Sequence, residues 1–433
     1  MAGYTQILRP FALVRGGFYG WKLVALSLFV IFITSGPIWY GVGIWIKALE
    51  LHFGWSRTQL TGAFSLAQLE GSILGPFVGY FVDRIGPRHM VFAGLVVIGI
   101  GFILFSRTTN LPMFYIAFAT ITFGSAIGTW LPMMAAINRW FSRRRSMAMA
   151  IAGEGSFLGG LVAAPLLAWA VTPGNMGWSA AALWIGILFL VVAWPASRFI
   201  RSRPEDYGLY VDGDSGPNAQ QSLGRGGPGS GRAEGDQVQP DFTARQAIRT
   251  RAFWLITFGH ALSTLLIATL TVHLVPMLTD QGMSLQTAAY VWSVVMAVGL
   301  VSQLVGGYVG DRIPLKLAIF GFTIFQTAGF IMAAFADNLQ IALLFAVLYG
   351  IGFGGRVPLT TAIRGDYFGQ RAFATITGIS SVPMYGFMLA GPLIAAIMFD
   401  ASGSYTLAFL ILGGLGSLSG FLYLLAKKPV RAA

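Results

Sequence analysis

The chain contains no cysteine among its 433 residues. No disulfide or thiolate metal site is possible, and nothing can be read about a redox compartment. Charge is scarce too. Asp, Glu, Lys and Arg make up 10% of the residues, where a soluble domain carries about a quarter. A chain this poor in polar groups cannot be wetted as a globule. Several signatures of chemistry are also missing. No phosphate-cradling Gly-x-x-x-x-Gly-Lys is present, so ATP is not the expected driver. No His/Asp/Glu group has metal-ligand spacing, and no nucleophile–base arrangement stands out. Neither an enzyme nor a cofactor is expected. Residues 1–18 hold Arg9, Pro10 and Arg15 and no clear cleavable apolar core. The first long helix is therefore expected to act as an uncleaved insertion signal.

What the chain has in abundance is apolar length. It is 55% hydrophobic, with a mean hydropathy of +0.70. A spanning helix needs about 20 apolar residues. Such runs fall at roughly 20–47, 58–83, 89–106, 112–138, 146–170, 178–200, 251–279, 286–311, 315–336, 340–364, 371–398 and 404–426. These are twelve expected spans of an all-α membrane protein. With the N-terminus inside, 24 of the 28 Lys and Arg fall in cytoplasmic segments, Arg364 among them. Lys47, Arg57 and Arg107 fall outside, and Arg356 lies within a span. The positive-inside rule then puts both termini in the cytoplasm and the chain in the inner (plasma) membrane. A net charge of +12 would suggest nucleic acid in a soluble protein; here the loops account for it.

Residues 201–248 differ from the rest. The stretch "DGDSGPNAQQSLGRGGPGSGRAEGDQ" is Gly, Ser, Pro and charge, the composition of a flexible linker. It divides the chain into a six-helix bundle over 1–200 and another over 249–433. The halves repeat. "GYFVDRIGPR" (79–88) ends span two and "GYVGDRIPLK" (307–316) ends span eight. Phe141 and Arg144 before span five match Phe368 and Arg371 before span eleven, at an offset of about 227 residues. Many secondary transporters are built from such repeats.

These residues resemble the major facilitator superfamily, whose mark is a Gly-x-x-x-Asp-Arg-x-Gly-x-Arg-like loop after span two. Gly79, Asp83, Arg84, Gly86 and Arg88 fit it. Gly307, Asp311, Arg312 and Lys316 fit the degenerate copy, with Pro314 where a glycine would stand. Three further patterns resemble the monocarboxylate porter and oxalate:formate antiporter branch: "GFYGWKLV", "WFSRRRSMAMAIAGEGSFLGG" and "RGDYFGQRAFATITG". The resemblance implies twelve helices in two bundles, no enzymatic activity, a monomer, and small carboxylate cargo moved with a proton or exchanged. It also implies a gating role for Asp83, Arg84, Arg88, Asp311 and Arg312. The branch often carries an arginine in span eight, eight residues before the loop's Asp-Arg. This chain has Gln303 there.

Depth follows from the loop landmarks at about 1.5 Å per residue. Glu70 comes out roughly 20 Å deep and Glu154, Arg356, His260 and Gln303 roughly 12–13 Å deep. All five are expected near the middle of a core about 30 Å thick. A charge there costs about 2.5–3.5 kcal/mol even on lenient scales, so it should face a cavity or a partner. Arg356, in "GIGFGGRVPLTTAIRGD", is expected either to anchor a substrate carboxylate in place of the missing span-eight arginine or to pair with Glu154. Glu154 is a candidate proton carrier or that static partner. Glu70 is a second candidate, the alternative being a neutral group bonded to Ser380, Ser381 or Tyr385. His260 can share a proton or serve as a plain hydrogen-bonding group. Tyr40, Trp130, Asn138 and Tyr385 are candidate cavity liners. His273, Asp280, Asp337 and Asp400 are expected near the outer surface with no chemical role.

The expectation is a secondary transporter of a small organic anion, proton-coupled, working by alternating access. Proton-driven efflux of hydrophobic or cationic compounds is the alternative, against which span five lacks a Gly-Pro motif. A transporter-like sensor would need a folded domain that 201–248 does not offer.

Overall fold

The computed structural model describes residues 18–141, 145–202, 204–210, 212, 242–310, 312–369 and 372–429. Among the described residues there is no strand. Eleven stretches are long and apolar enough to cross a membrane. A twelfth, Arg57–Ile85, is 29 residues long and less apolar because Gln68 and Glu70 sit in its middle. Spans one to six are Tyr19–Tyr40 with its extension Val42–Phe53, Arg57–Ile85, Pro87–Ser106, Leu111–Trp140, Met147–Val171 and Gly177–Phe199. Spans seven to twelve are Arg251–Asp280, Leu285–Gly310, Leu315–Ala333, Leu339–Phe368, Thr375–Ser402 and Thr406–Leu425. Spans one, six, seven and twelve have ends on one side of the bundle, where residues 201–202 and 242–248 also lie. That end is called the linker end here, and the opposite one the far end.

Local chemistry starts the helices. Ser56 and Gln59 form a capping box ahead of span two. Asn110, Thr250 and Asn338 cap spans four, seven and ten through their side chains. Each satisfies an amide that the first turn leaves unbonded. Gly86, at φ 91°, makes the turn between spans two and three that a side chain would resist.

Three boundaries differ from the sequence reading. Span one does not stop near 47. It passes through a π-helical segment, Gly36–Tyr40, and continues to Phe53. Pro37 cannot complete the α ladder there, and the Trp45 indole donates to the Pro37 carbonyl at 2.9 Å. Span four breaks at Thr129 into two helices. Part of the expected linker is ordered: a capping box at Thr243 and Gln246 opens a short helix, Ala244–Ile248, and the Phe242 amide donates to the Phe368 carbonyl at 3.0 Å.

Helices pack most extensively within each set of six: three on four and six, one on five, eight and nine on ten, seven on twelve. Across the sets, span two meets eleven, span one meets seven, and span five meets eight. Spans eight and ten approach so closely that a Cβ on Gly354 would run into the Gly299 carbonyl, and one on Gly306 into Gly355. Gly354→Ala is expected to cost about 1–3 kcal/mol through overpacking. Thermal unfolding in detergent would show it as a lower midpoint; an unchanged midpoint would mean that the two spans do not touch there.

Candidate functional site

Between the two sets lies a cavity of about 550 Å³. Its wall comes from spans one, two, four, five, seven and eleven, and Trp39, Tyr40, Phe64, Trp130, Tyr385 and Met388 give it an aromatic, largely apolar character. The sequence candidates Tyr40, Trp130 and Tyr385 are therefore brought together. Each owes its position to a local irregularity. Tyr40 ends the π segment of span one and its hydroxyl lies 3.1 Å from Ser156 Oγ. Trp130 opens the second helix of span four and its ring rests against Gly153 of span five. Span eleven, which carries Tyr385, contains Pro383 and Pro392. Gln68, Thr129, Ser156 and Thr271 supply most of the polar wall. Asn138, the weaker candidate, is exposed near the end of span four.

The charged candidates have partners other than those expected. Glu154 does not pair with Arg356. Its Oε1 accepts from Gln303 Nε2 at 2.8 Å, which joins span five to span eight across the two sets. Glu154 Oε2 and Gln303 Oε1 are both buried without a partner. Glu70 does not reach Ser380, Ser381 or Tyr385. Its Oε2 accepts from the Thr122 hydroxyl at 2.6 Å, within the first six spans. Rotation of each helix about its axis decides these pairings, and landmarks of depth say nothing of rotation.

Arg356 is 1% exposed and turned into the last six spans, where its Nε donates to Gln326 Oε1 at 3.0 Å. Arg364 was counted among the loop cations; it lies inside span ten, 3% exposed. It donates through Nη1 to the Thr360 carbonyl and through Nη2 to His260 Nδ1, both at 2.7 Å. Neither His260 nor Arg356 nor Gln303 lines the cavity.

Three of the residues dismissed at the outer surface, His273, Asp280 and Asp400, belong to one polar cluster. Arg57, first residue of span two, is 2% exposed. Its guanidinium bonds Glu50, Asp280 at 2.8 Å and the Tyr405 hydroxyl at 2.9 Å, and lies 3.9 Å from the Phe399 ring centre. Lys47 pairs with Asp280 and Glu50. Asp400 accepts the backbone amides of Arg57 and Thr58. His273, fully buried, bridges the Tyr405 hydroxyl and the Pro392 carbonyl at 2.9 and 2.8 Å. Spans one and two are thereby locked to spans seven, eleven and twelve at the far end. Asp337 alone matches the expectation, bonded only to its neighbour Asn338.

At the linker end the expected gate residues stay on their own helices. Arg84 donates to the Tyr80 hydroxyl at 2.7 Å, and Arg312 to the Tyr308 carbonyl at 3.0 Å. Arg88 is half-buried at the start of span three. Asp311, and the side chain of Asp83, lie outside the described residues. The cavity is thus closed at the far end by bonds between the two sets, while Arg84 and Arg312 hold their own helices.

A family model described as the Major Facilitator Superfamily matches residues 25–382 and, again, 256–433. The chain belongs to the major facilitator superfamily. This facilitator is a transport protein, not an enzyme, built on the superfamily's twelve-helix, two-bundle fold. It is 26% identical over 403 residues to "Monocarboxylate transporter 13" of Rattus norvegicus, covering 92% of this chain and 86% of that one. It is 25% identical to "Monocarboxylate transporter 12-B" of Danio rerio, covering 96% and 88%. With the human "Monocarboxylate transporter 2" it shares 23% identity over 92% and 83%. Its fold matches a crystal structure of a bacterial homolog to the human lysosomal transporter Spinster with a TM-score of 0.74 at 15% identity, over 94% of this chain and 97% of that one.

Proposed function

We propose that this facilitator carries a small organic anion, a monocarboxylate by the names of its relatives, together with a proton, by alternating access. The two six-span bundles over 1–200 and 249–433 rock about the central cavity, and the linker end, with both termini, is cytoplasmic. The state described is then the one open towards the cytoplasm. The observation that carries the reading is the Glu154–Gln303 pair. Gln303 Nε2 is the only donor group of this carboxylate–amide pair, and among the described residues Glu154 Oε2 and Gln303 Oε1 are left unpaired. A proton on Glu154 supplies the missing donor. That is a proton site placed on the seam between the bundles, where its occupancy alters how they hold together. The cargo's charge is answered by Arg356, which among the described residues forms no ion pair. Its side chain is buried against Gln326 of span nine. The aromatic wall suits the hydrocarbon part of a small acid. Gating by Asp83, Arg84, Arg88, Asp311 and Arg312 belongs to the opposite state, in which the linker end closes.

The test is uptake of labelled mono- and dicarboxylates into liposomes, with and without an inward proton gradient. Gradient-driven uptake of one acid, reduced at least tenfold in Arg356→Gln, is the expected result. A second reading is favoured by one observation: the cavity wall is apolar and aromatic, and both mid-depth carboxylates have only neutral partners. That arrangement also suits a lipophilic cation. Proton-driven movement of such a cation, with no acid transported, would replace the anion reading.

A further inference from the structure

Span ten carries two buried arginines separated by eight residues, roughly 12 Å along the helix axis. Their surroundings are polar and neutral. Arg356 uses Nε on Gln326; Arg364 uses Nη1 on its own helix and Nη2 on His260. By accepting at Nδ1, His260 is held in its neutral form. Arg356 Nη1, Arg364 Nε and the Tyr423 hydroxyl are buried with no hydrogen-bond partner. Tyr423, on span twelve, packs against Gly259 of span seven and lies within electrostatic reach of both guanidinium groups. Among the described residues neither arginine forms an ion pair.

Two positive charges are thus enclosed by spans seven, nine, ten and twelve with no negative one among the described residues. A buried charge with no counter-ion is strongly unfavourable, and buried donors are normally matched by acceptors. A cluster with two cations, several spare donors and no acid is complementary to an anion. Guanidinium forks suit a planar carboxylate best and accept a halide as well. Pro358, between the two arginines, interrupts the backbone ladder where span ten can bend and open this cluster towards the cavity.

We infer that Arg356, Arg364, Gln326, Tyr423 and His260 bind one small monovalent anion, a carboxylate or a halide, inside the last six spans behind the cavity wall. As the place where cargo charge is held, the site rests on the anion reading above. As a binding site it is tested without transport. The purified full chain in detergent is unfolded by heat at constant ionic strength while a bulky sulfonate, the sodium salt of HEPES, is replaced stepwise by sodium acetate, or separately by sodium chloride. The expected result is a saturable rise of several degrees in the midpoint, with the half-saturating concentration raised at least tenfold in Arg364→Met and in Arg356→Met. Arg364→Lys should retain part of the response. A response to acetate alone points to cargo, and one to chloride alone to a resident inorganic ion; either upholds the site. A midpoint indifferent to both anions overturns it, as does a response that both methionine variants keep. If those variants cannot be purified, Tyr423→Phe is titrated instead: a severalfold weaker response supports the site, and an unchanged one sinks it. Anion binding without carboxylate uptake would leave this site standing and remove the proposed cargo. Carboxylate uptake intact in Arg364→Met, with the anion response of the midpoint lost, would keep the site and the cargo but separate the two.

Discussion

Arg57→Gln is expected to open the far end. Arg57 is buried, and its charge holds Glu50 and Asp280 while its amide is held by Asp400. Removing the guanidinium leaves two carboxylates, Glu50 and Asp280, facing Lys47 alone. Breaking a buried ion pair by deleting one partner costs about 3–5 kcal/mol. Glu50 and Asp280 are partly exposed, at 24% and 28%, so the lower end of that range applies. About 3 kcal/mol shifts a two-state balance by more than a hundredfold. The absence of cysteine makes the measurement clean: a single thiol placed at Trp39, in the cavity wall, has no native competitor. In the parent its labelling should be slow from the far end and fast from the linker end. In the Arg57→Gln background the preference should reverse. An unaltered pattern would mean that the lock does not set which end is open.

The second large effect concerns the seam. Glu154→Gln replaces an acid–amide pair that lacks a donor by an amide–amide pair that has two. The packing around Gly153 and Gly155 is untouched, so the chain should fold and exchange cargo between the two sides. Accumulation driven by a proton gradient should fall at least tenfold, because the group that binds the proton is gone. Liposomes loaded with unlabelled acid measure exchange; liposomes with only a gradient measure accumulation. Loss of both together would assign Glu154 to structure, and loss of neither would move the proton site elsewhere, with Glu70 on its Thr122 hydroxyl the next to examine.

Much of the architecture was legible in the chain. Apolar runs gave the spans, and the Asp-Arg loops at 83 and 311 gave the repeat. Depth counted from loop landmarks placed Glu154, Gln303 and Arg356 in the interior. What failed was rotation. Each residue advances a helix by about 100°, and spans that are apolar on every side carry little pattern to show which face meets the cavity. Of the two readings of Arg356, the pair with Glu154 fails because the side chain faces Gln326, and Arg364, counted with the loop cations, is buried because span ten runs one more turn to Phe368. The far-end lock failed for a different reason. Arg57 stands beside polar neighbours like any loop residue. Its burial comes from Asp280, Asp400 and Tyr405, which lie more than two hundred residues away in sequence and are brought to it only by assembly of the two sets. The same holds for Tyr40: the sequence offered an aromatic, but the π segment that aims it depends on Pro37.

Those π segments have a consequence of their own. Span one carries Gly36–Tyr40 and span five carries Gly159–Ala163, packed against each other. Their counterparts by the internal repeat, spans seven and eleven, run as unbroken α-helices. One extra residue per turn moves everything beyond it out of register with the other half. The two halves, related as parallel repeats about the membrane normal, are therefore not copies in register at their joints. The first six spans carry their joints as π segments and the last six as helix-interior prolines, Pro276, Pro358, Pro383 and Pro392, so the two halves bend by different devices at different levels.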